Sequence, residues 1–331
     1  MNIIKNNKNY DKIPFRINFI KELMKGQKIK TMVDFDICDT ESYVKKDSTK
    51  NIKEILDKEI FDFNKIINQI GGKLLYIKSG TTGHTFKGIM DGENGDYINY
   101  AVKIVAYPKK ENYGSLENKN RPENAELMML KTLAYFVVNN QSPHIVLPIS
   151  TFNTSIKPFI GLSKNKIVNS KKYDQFIKRY KKKEYYDEVS VLISEWANGG
   201  DLLDYIRKNY KKMKLRDWRV ILFQLLSVLA VIQKKYPSFR HNDLKANNIL
   251  VHKIEVRNKN NKFKYTINGK NYIIPNIGLQ IKLWDFDFAC IPGLVENDKV
   301  NAKWTSKINV NPEKNRYYDV HYFFNTLTKK G

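Results

Sequence analysis

The chain has 331 residues, 42% of them hydrophobic, enough to bury one two-lobed domain with an extension or two separate domains. A formal net charge of +24 reads first as a solvated, lysine-rich exterior of compositional origin, since no basic stripe with interleaved aromatics stands out; the alternative is a surface for acidic protein substrates, anionic membrane or nucleic acid. Cys38 and Cys290 exclude a disulfide framework and a zinc pattern, and the longest apolar run, Val220 to Ile232, is too short to cross a bilayer.

From the N-terminus, Met1 to Lys30 is polar and lacks the apolar block of a signal peptide. Residues 1–70 read as an extension, with helical spacing in Asn51 to Ile70 at Ile52, Ile55, Leu56, Ile60, Phe63, Ile66 and Ile67. From Lys73 the pattern changes to strands. Leu74-Leu75-Tyr76-Ile77 leads into a glycine turn, and His84 to Met90 and Tyr97 to Ala106 flank the hairpin signal Asp91-Gly92-Glu93-Asn94-Gly95-Asp96. Pro122 to Val138 is a predicted helix with Glu126, Leu130 and Leu133 on one face. Ile145-Val146-Leu147 and Val189 to Ile193 read as strands. The Lys- and Tyr-rich stretch Lys171 to Tyr186 between them reads as an exposed, partly helical excursion. Leu202 to Asn209 and Arg216 to Lys235 are predicted helices, and Asn268-Gly269 centres a hairpin flanked by Tyr265, Ile267, Tyr272 and Ile274.

The chemistry concentrates in His241-Asn242-Asp243-Leu244-Lys245-Ala246-Asn247-Asn248-Ile249-Leu250. Phosphoryl transfer needs an acceptor for the substrate hydroxyl proton, a cation for the moving phosphoryl group and an oxygen ligand for Mg²⁺; Asp243, Lys245 and Asn248 are those residue types on one loop. Upstream, Gly80-Thr81-Thr82-Gly83 sits between two strands, where glycine lets backbone approach phosphates. Lys103 lies mid-strand after Ala101-Val102, and an inward lysine there needs a carboxylate partner. Glu126 is preferred over Glu123, because Leu130 and Leu133 then face the core beside it. Downstream, the strand Ile281-Lys282-Leu283-Trp284 delivers Asp285-Phe286-Asp287-Phe288, with Asp285 a hard oxygen ligand for Mg²⁺.

These features, in this order, resemble the protein-kinase superfamily. The glycine turn resembles G-x-G-x-x-G-x-V with Lys78 and Thr85 in the places of the first glycine and the valine; Ala101-Val102-Lys103 resembles V-A-I-K. The loop resembles H-R-D-L-x-x-x-N with Asn242 in the arginine place, and Asp285-Phe286-Asp287 resembles D-F-G with Asp287 in the glycine place. Leu192 to Leu202, with Gly199-Gly200-Asp201, resembles the hinge between lobes.

The resemblance implies an α+β, bilobal fold. A small antiparallel N-lobe sheet with one helix would occupy 71–195, with a basic insert near 165–187, and a mainly helical C-lobe 196–331. That C-lobe looks short: no A-P-E is visible, Pro312-Glu313 is a poor substitute, and the chain stops at Gly331 where further helices are expected. By resemblance, Asp243 is the base, Lys245 neutralises the transferring group, and Asn248 and Asp285 hold Mg²⁺. ATP would be lined by Ile77, Gly80, Gly83, Thr85, Ala101, Lys103, Glu126, Ser194, Glu195, Ala197, Asp201 and Leu250. The backbone of Glu195 and Ala197 would meet adenine, and Ser194 would be the gatekeeper. Asp201 would reach the ribose or cap the helix that follows it. Phe286 would pack under the Glu126 helix, and Asp319 would anchor the loop backbone. Asn242 cannot pair with an activation-loop phosphate, so activity independent of such phosphorylation is expected.

The absent arginine, Asp285-Phe286-Asp287-Phe288, Pro292-Gly293-Leu294, Asn315-Arg316-Tyr317-Tyr318-Asp319 and the hairpin insert look more narrowly like the poxvirus late serine/threonine kinases and their giant-virus relatives. That family implies transfer to serine and threonine, and also tyrosine, of protein substrates, in host cytoplasm and virion, during viral membrane assembly. Two readings compete. An aminoglycoside-kinase-type phosphotransferase is opposed by Lys245 and Gly199-Gly200-Asp201. A non-catalytic scaffold would use the basic surface to bind membrane or protein.

Overall fold

A computed structural model describes residues 12–35, 51–80, 82–91, 97–162, 171–256 and 261–330. Thr81, the expected turn at 92–96, Cys38 and the first part of the basic insert lie outside them. Three helices, α1 (Ile13–Met24), α2 (Ile52–Leu56) and α3 (Phe63–Ile70), precede a five-stranded antiparallel sheet. Its strands are β1 (Lys73–Ser79), β2 (Gly83–Asp91), β3 (Tyr97–Pro108), β4 (Pro148–Ser155) and β5 (Tyr185–Glu195), in the order β1-β2-β3-β5-β4. Helix α4 (Pro122–Val138) has the bounds its proline and apolar spacing predict. The short α5 (Lys157–Ile160) and α6 (Lys171–Lys181) lie between β4 and β5.

Strand alternation gives the sheet two faces. Thr85, Lys103 and Leu192 share one face through direct cross-strand pairing, as do Ala101 and Ser194 beside them. The opposite face carries Val102 and Ile104, both with 0% exposure, and their neighbours Phe86 and His84. That face is roofed by aromatic contacts: Phe63 of α3 meets Phe159 of α5 at 4.9 Å, and Phe176 of α6 meets the His84 ring at 4.5 Å. Burying rings of this size stabilises the assembly by about 2–3 kcal/mol each.

The second lobe contains α7 (Leu202–Asn209), α8 (Leu215–Lys235), α9 (Lys303–Ser306) and α10 (Tyr318–Lys330). Two hairpin-like pairs complete it: β6 (Ile249–Lys253) with β9 (Leu279–Leu283), and β7 (Lys262–Ile267) with β8 (Lys270–Pro275). Gln224, the polar interruption of the apolar run in α8, is buried. It accepts from Ile281 N at 2.9 Å and donates to Leu279 O at 3.2 Å, fixing the strand that leads to Asp285. Asn268 and Gly269 turn the β7–β8 hairpin with φ of 51° and 81°, the positive pair such a turn requires.

Three sequence expectations need correction. Ile145-Val146-Leu147 is not a strand of the sheet; the segment pairs briefly with Leu283, through Val146 N to Leu283 O and Leu283 N to His144 O, and β4 starts at Pro148. The spacing across Asn51 to Ile70 is not one helix. Asp57, at φ 49°, ends α2, and residues 59–61 run extended beside Asn153 before Asp62 caps α3. Lys171 to Tyr186 is partly helical with its lysines exposed, as expected, but it is not a free excursion: Tyr173, Phe176 and Tyr185 are at most 2% exposed and pack it onto the fold.

The extension also closes the β4 edge. Met32 N bonds Ile149 O at 2.9 Å, and Asn153 exchanges backbone bonds with Glu59 O (2.8 Å) and Phe61 N (2.9 Å). An open strand edge is thereby capped from within the chain.

Candidate active site

Lys103 projects from the centre of β3 toward α4. Its Nζ lies 2.6 Å from Glu126 Oε1 and 3.2 Å from Asp285 Oδ1. Glu123 instead pairs with Arg121 at 3.2 Å. Burial works against the Lys103 charge, but Asp285 and Glu126 outweigh it and hold the ammonium above its ordinary range. Burial pushes Glu126 up to about 7, against the pull of Lys103 and helped by Asp285 and Asp287. For Asp285, burial is overcome by Lys103, which draws the carboxyl down. Asp287, in the expected glycine place, is ion-paired with Lys299.

The β6–β9 ladder sets Ile249 opposite Leu283, so the end of the Asp243 loop meets the approach to Asp285; Trp284 N also bonds Asn248 O at 3.2 Å. Within the loop, Lys245 Nζ donates to Asp243 Oδ2 at 2.7 Å, and Asn248 Nδ2 donates to the same oxygen at 2.8 Å and to Asp243 O at 2.9 Å. Asp319, at the start of α10, accepts from His241 N at 2.8 Å and Asn242 N at 2.9 Å. Asn242 has φ 62°, tolerable for asparagine, and its Nδ2 donates to Phe288 O at 3.0 Å. Phe286 is fully buried, its ring 5.1 Å from the His241 ring.

Between the lobes, Gly199 N bonds Val251 O and Val251 N bonds Gly200 O, both at 2.8 Å, which brings Leu250 beneath residues 195–201. A side chain on Gly199 would meet Val251 O at 2.6 Å, so the crossing requires glycine. Asp201 caps α7, accepting from Asp204 N at 2.9 Å, so the capping alternative describes its contact. Ala101 and Ser194 are paired neighbours on the Lys103 face. Ile77 lies in the bulge of β1 and is 43% exposed, while Thr85 sits opposite Lys103. Gly80 N bonds Gly83 O at 2.7 Å and closes the turn. A Cβ on Gly83 would lie 1.8 Å from Ile104 O; close approach to β3 alone demands that glycine.

Several residues at the site carried no recognised signal. Arg16 of α1 is 1% exposed, donates through Nε to Glu195 Oε2 at 2.9 Å and forms a second, shorter bond to Oε1. It also reaches Pro143 O at 2.7 Å and Ile145 O at 2.6 Å. Lys282 adds a contact to Glu195 at 3.0 Å, and Leu147 N another at 2.8 Å. Burial opposes ionisation of Glu195, but Arg16 and Lys282 dominate and bring it down to about 2. Tyr322 of α10 donates to Asp243 Oδ1 at 3.2 Å. Its signal was present in the sequence, since three residues after Asp319 is the same helical face.

A family model described as Poxvirus serine/threonine protein kinase matches residues 113–330. The chain belongs to this family. Within it, the kinase-like two-lobed architecture accounts for the antiparallel sheet, α4 and the helical second lobe. The chain is 51% identical over 321 residues to "Putative serine/threonine-protein kinase R400" of Acanthamoeba polyphaga mimivirus, covering 95% of this chain and 66% of that protein. It is 28% identical over 274 residues to "Putative serine/threonine-protein kinase R301" of the same virus, covering 69% of this chain and 66% of the relative. To "Serine/threonine-protein kinase 2" of fowlpox virus it is 24% identical over 205 residues, 60% of this chain and 43% of that protein.

Proposed function

We propose that this chain is an ATP- and Mg²⁺-dependent protein kinase that phosphorylates serine and threonine hydroxyls and also accepts tyrosine. The observation that carries the reading is a pair of clusters, Lys103, Glu126 and Asp285 in one and Asp243, Lys245 and Asn248 in the other, joined where Ile249 pairs with Leu283 and Trp284 N bonds Asn248 O. The donor chemistry fits a divalent cation. Three carboxyl groups, Glu126, Asp285 and Asp287, face two ammoniums, Lys103 and Lys299. Asp285 and the Asn248 Oδ1 offer hard oxygens.

When bound, Mg-ATP supplies the transferable phosphoryl group and charge neutralisation at its oxygens. The protein's share is positioning. Lys103 offers its ammonium to phosphate oxygens, held by Glu126, and Asp243 takes the proton of the acceptor hydroxyl. Lys245 balances the charge that develops beside it. Backbone groups of Glu195 and Ala197 read adenine, with Ser194 behind them and Ile77, Thr85, Ala101 and Leu250 as the apolar walls; Gly80 and Gly83 keep the covering turn slim. The net charge of +24 supports acidic protein substrates and an anionic membrane surface as partners. The family relationship supports a place in host cytoplasm and virion, in virion assembly.

The test is transfer of labelled γ-phosphate from ATP to a mixed protein substrate, followed by phosphoamino-acid analysis. Labelled phosphoserine and phosphothreonine are expected. Mg-ATP binding with no transfer would sink the reading in favour of a scaffold, and transfer confined to aminoglycosides or sugars would replace it with a small-molecule phosphotransferase.

A further inference from the structure

The arginine missing before Asp243 has a counterpart three residues ahead of that aspartate. Arg240 is 2% exposed. Its guanidinium donates to Asn311 Oδ1, to Glu313 O at 3.1 Å and to Asn309 O at 3.2 Å, all in the segment between Asp285 and Asp319. The same guanidinium lies 3.8 Å from the centroid of the Tyr318 ring. Tyr318 stacks on Tyr322, with centroids 5.9 Å apart and planes at 15°. Tyr322 then donates its hydroxyl to Asp243 Oδ1 at 3.2 Å. A continuous run of contacts therefore joins residues 309–313 to the carboxylate of Asp243.

The geometry of that carboxylate gives the run a purpose. Lys245 and Asn248 both hold Oδ2, which leaves rotation about the terminal torsion opposed from one oxygen only. That torsion is soft in aspartate. A donor on Oδ1 removes the freedom. Burial and the nearby Asp243 push the Tyr322 phenol up to about 12, so it keeps its proton, and remains a donor, throughout the physiological range.

We propose that Tyr322 is a positioning residue for Asp243, and that the Arg240–Tyr318 stack fastens it to residues 309–313 with no phosphate involved. This rests on the kinase reading above. Conventional coupling of an activation segment to the loop uses an arginine–phosphate pair, which Asn242 cannot make. Arg240 bonds backbone carbonyls and an asparagine oxygen instead, groups that are present whether or not the chain is modified.

Tyr322→Phe keeps the ring and its stack and deletes only the hydroxyl. The expected result is a fall in kcat of about tenfold or more, the scale of small misalignments at a reacting centre. The KM for ATP and the nucleotide Kd should stay within about twofold, a split that general destabilisation would not produce. Arg240→Lys keeps the charge and loses the planar fork and stacking face; it should lower kcat in the same direction, with the unfolding midpoint recorded beside it. Phosphatase treatment of the wild-type protein should leave kcat unchanged. A Tyr322→Phe protein with wild-type kcat overturns the proposal. One with raised kcat overturns it too, and identifies Tyr322 as an occupant of the acceptor position that substrate must displace. Loss of wild-type kcat on phosphatase treatment also overturns it. A wild-type protein that binds nucleotide and transfers nothing sinks the kinase reading itself, a result distinguishable from an active wild type with an indifferent Tyr322→Phe.

Discussion

Two ammonium groups, one half-buried and one fully buried, meet helix α4 at Glu126 and Asn124, two residues apart, and have opposite fates. Lys103 reaches Glu126 at 2.6 Å and Asp285 at 3.2 Å. Lys58, from the extension, is 1% exposed and reaches Tyr107 Oη at 2.6 Å, Ser190 Oγ at 2.8 Å and Asn124 Oδ1 at 3.5 Å. Carboxylates outweigh burial at Lys103 and hold it charged. At Lys58 the direct partners are neutral oxygens and burial dominates, lowering it to about 7. The lysine proposed to offer charge to a ligand is the one kept charged by acids. A lysine that only ties a segment to the interior strands β3 and β5 is left free to lose its proton.

The largest effect should come from the charged member. Lys103→Met removes the ammonium while leaving a side chain of similar length. Phosphoryl transfer should fall by about a thousandfold, the scale of losing a preorganised charge at a reacting centre. Asp243→Ala should fall comparably. Both should retain a cooperative thermal transition, since neither removes core packing; undiminished transfer to labelled casein-like protein would refute the assigned roles.

Next in size is the carboxylate that mirrors Lys103, Glu195 with its two cations. Arg16→Met leaves Lys282 to neutralise it but strips the bonds to Pro143 O and Ile145 O. The expected loss is about 3 kcal/mol of unfolding free energy, at the lower bound for breaking a buried pair, because the remaining charge keeps a partner. Urea titration checks it, and a midpoint unchanged from wild type would show that α1 is not fastened through this arginine.

These contrasts explain what could be read from the residues alone. Helix α4 and the β7–β8 hairpin follow from local signals, Pro122 with apolar spacing and Asn268-Gly269. The meeting of Lys103 and Glu126 follows from the need of an inward lysine for an acid and from helical phase. The Asp243–Asn248 cluster is short-range. In contrast, Arg16 meets Glu195 across 179 positions and Lys58 meets Ser190 across 132. Nothing local in α1 or in the turn after α2 specifies those partners. Ile60 shows the converse failure: it kept the helical apolar spacing yet is 59% exposed, because the strand edge at Asn153 claimed its backbone for an extended conformation.

The smallest effect on activity belongs to Lys58, and the sign of its effect on stability is diagnostic. In the folded protein its proton is held only to about pH 7, while in the unfolded chain it is held to the ordinary 10.5. Between those limits the unfolded state binds the extra proton, so this residue makes stability rise with pH across the window. Below about 7 both states are protonated and its cost is complete. The increment is at most about 1.4 kcal/mol per pH unit, the value for one proton. Lys58→Met should therefore shift the unfolding midpoint upward relative to wild type at pH 6.5, and the two curves should converge toward pH 10. Phosphoryl transfer should be unchanged, since Lys58 contacts none of the groups around Asp243. A wild-type minus Lys58→Met difference that stays flat from pH 6.5 to 10 would mean that Lys58 remains charged against neutral oxygens, and that burial is not what separates it from Lys103.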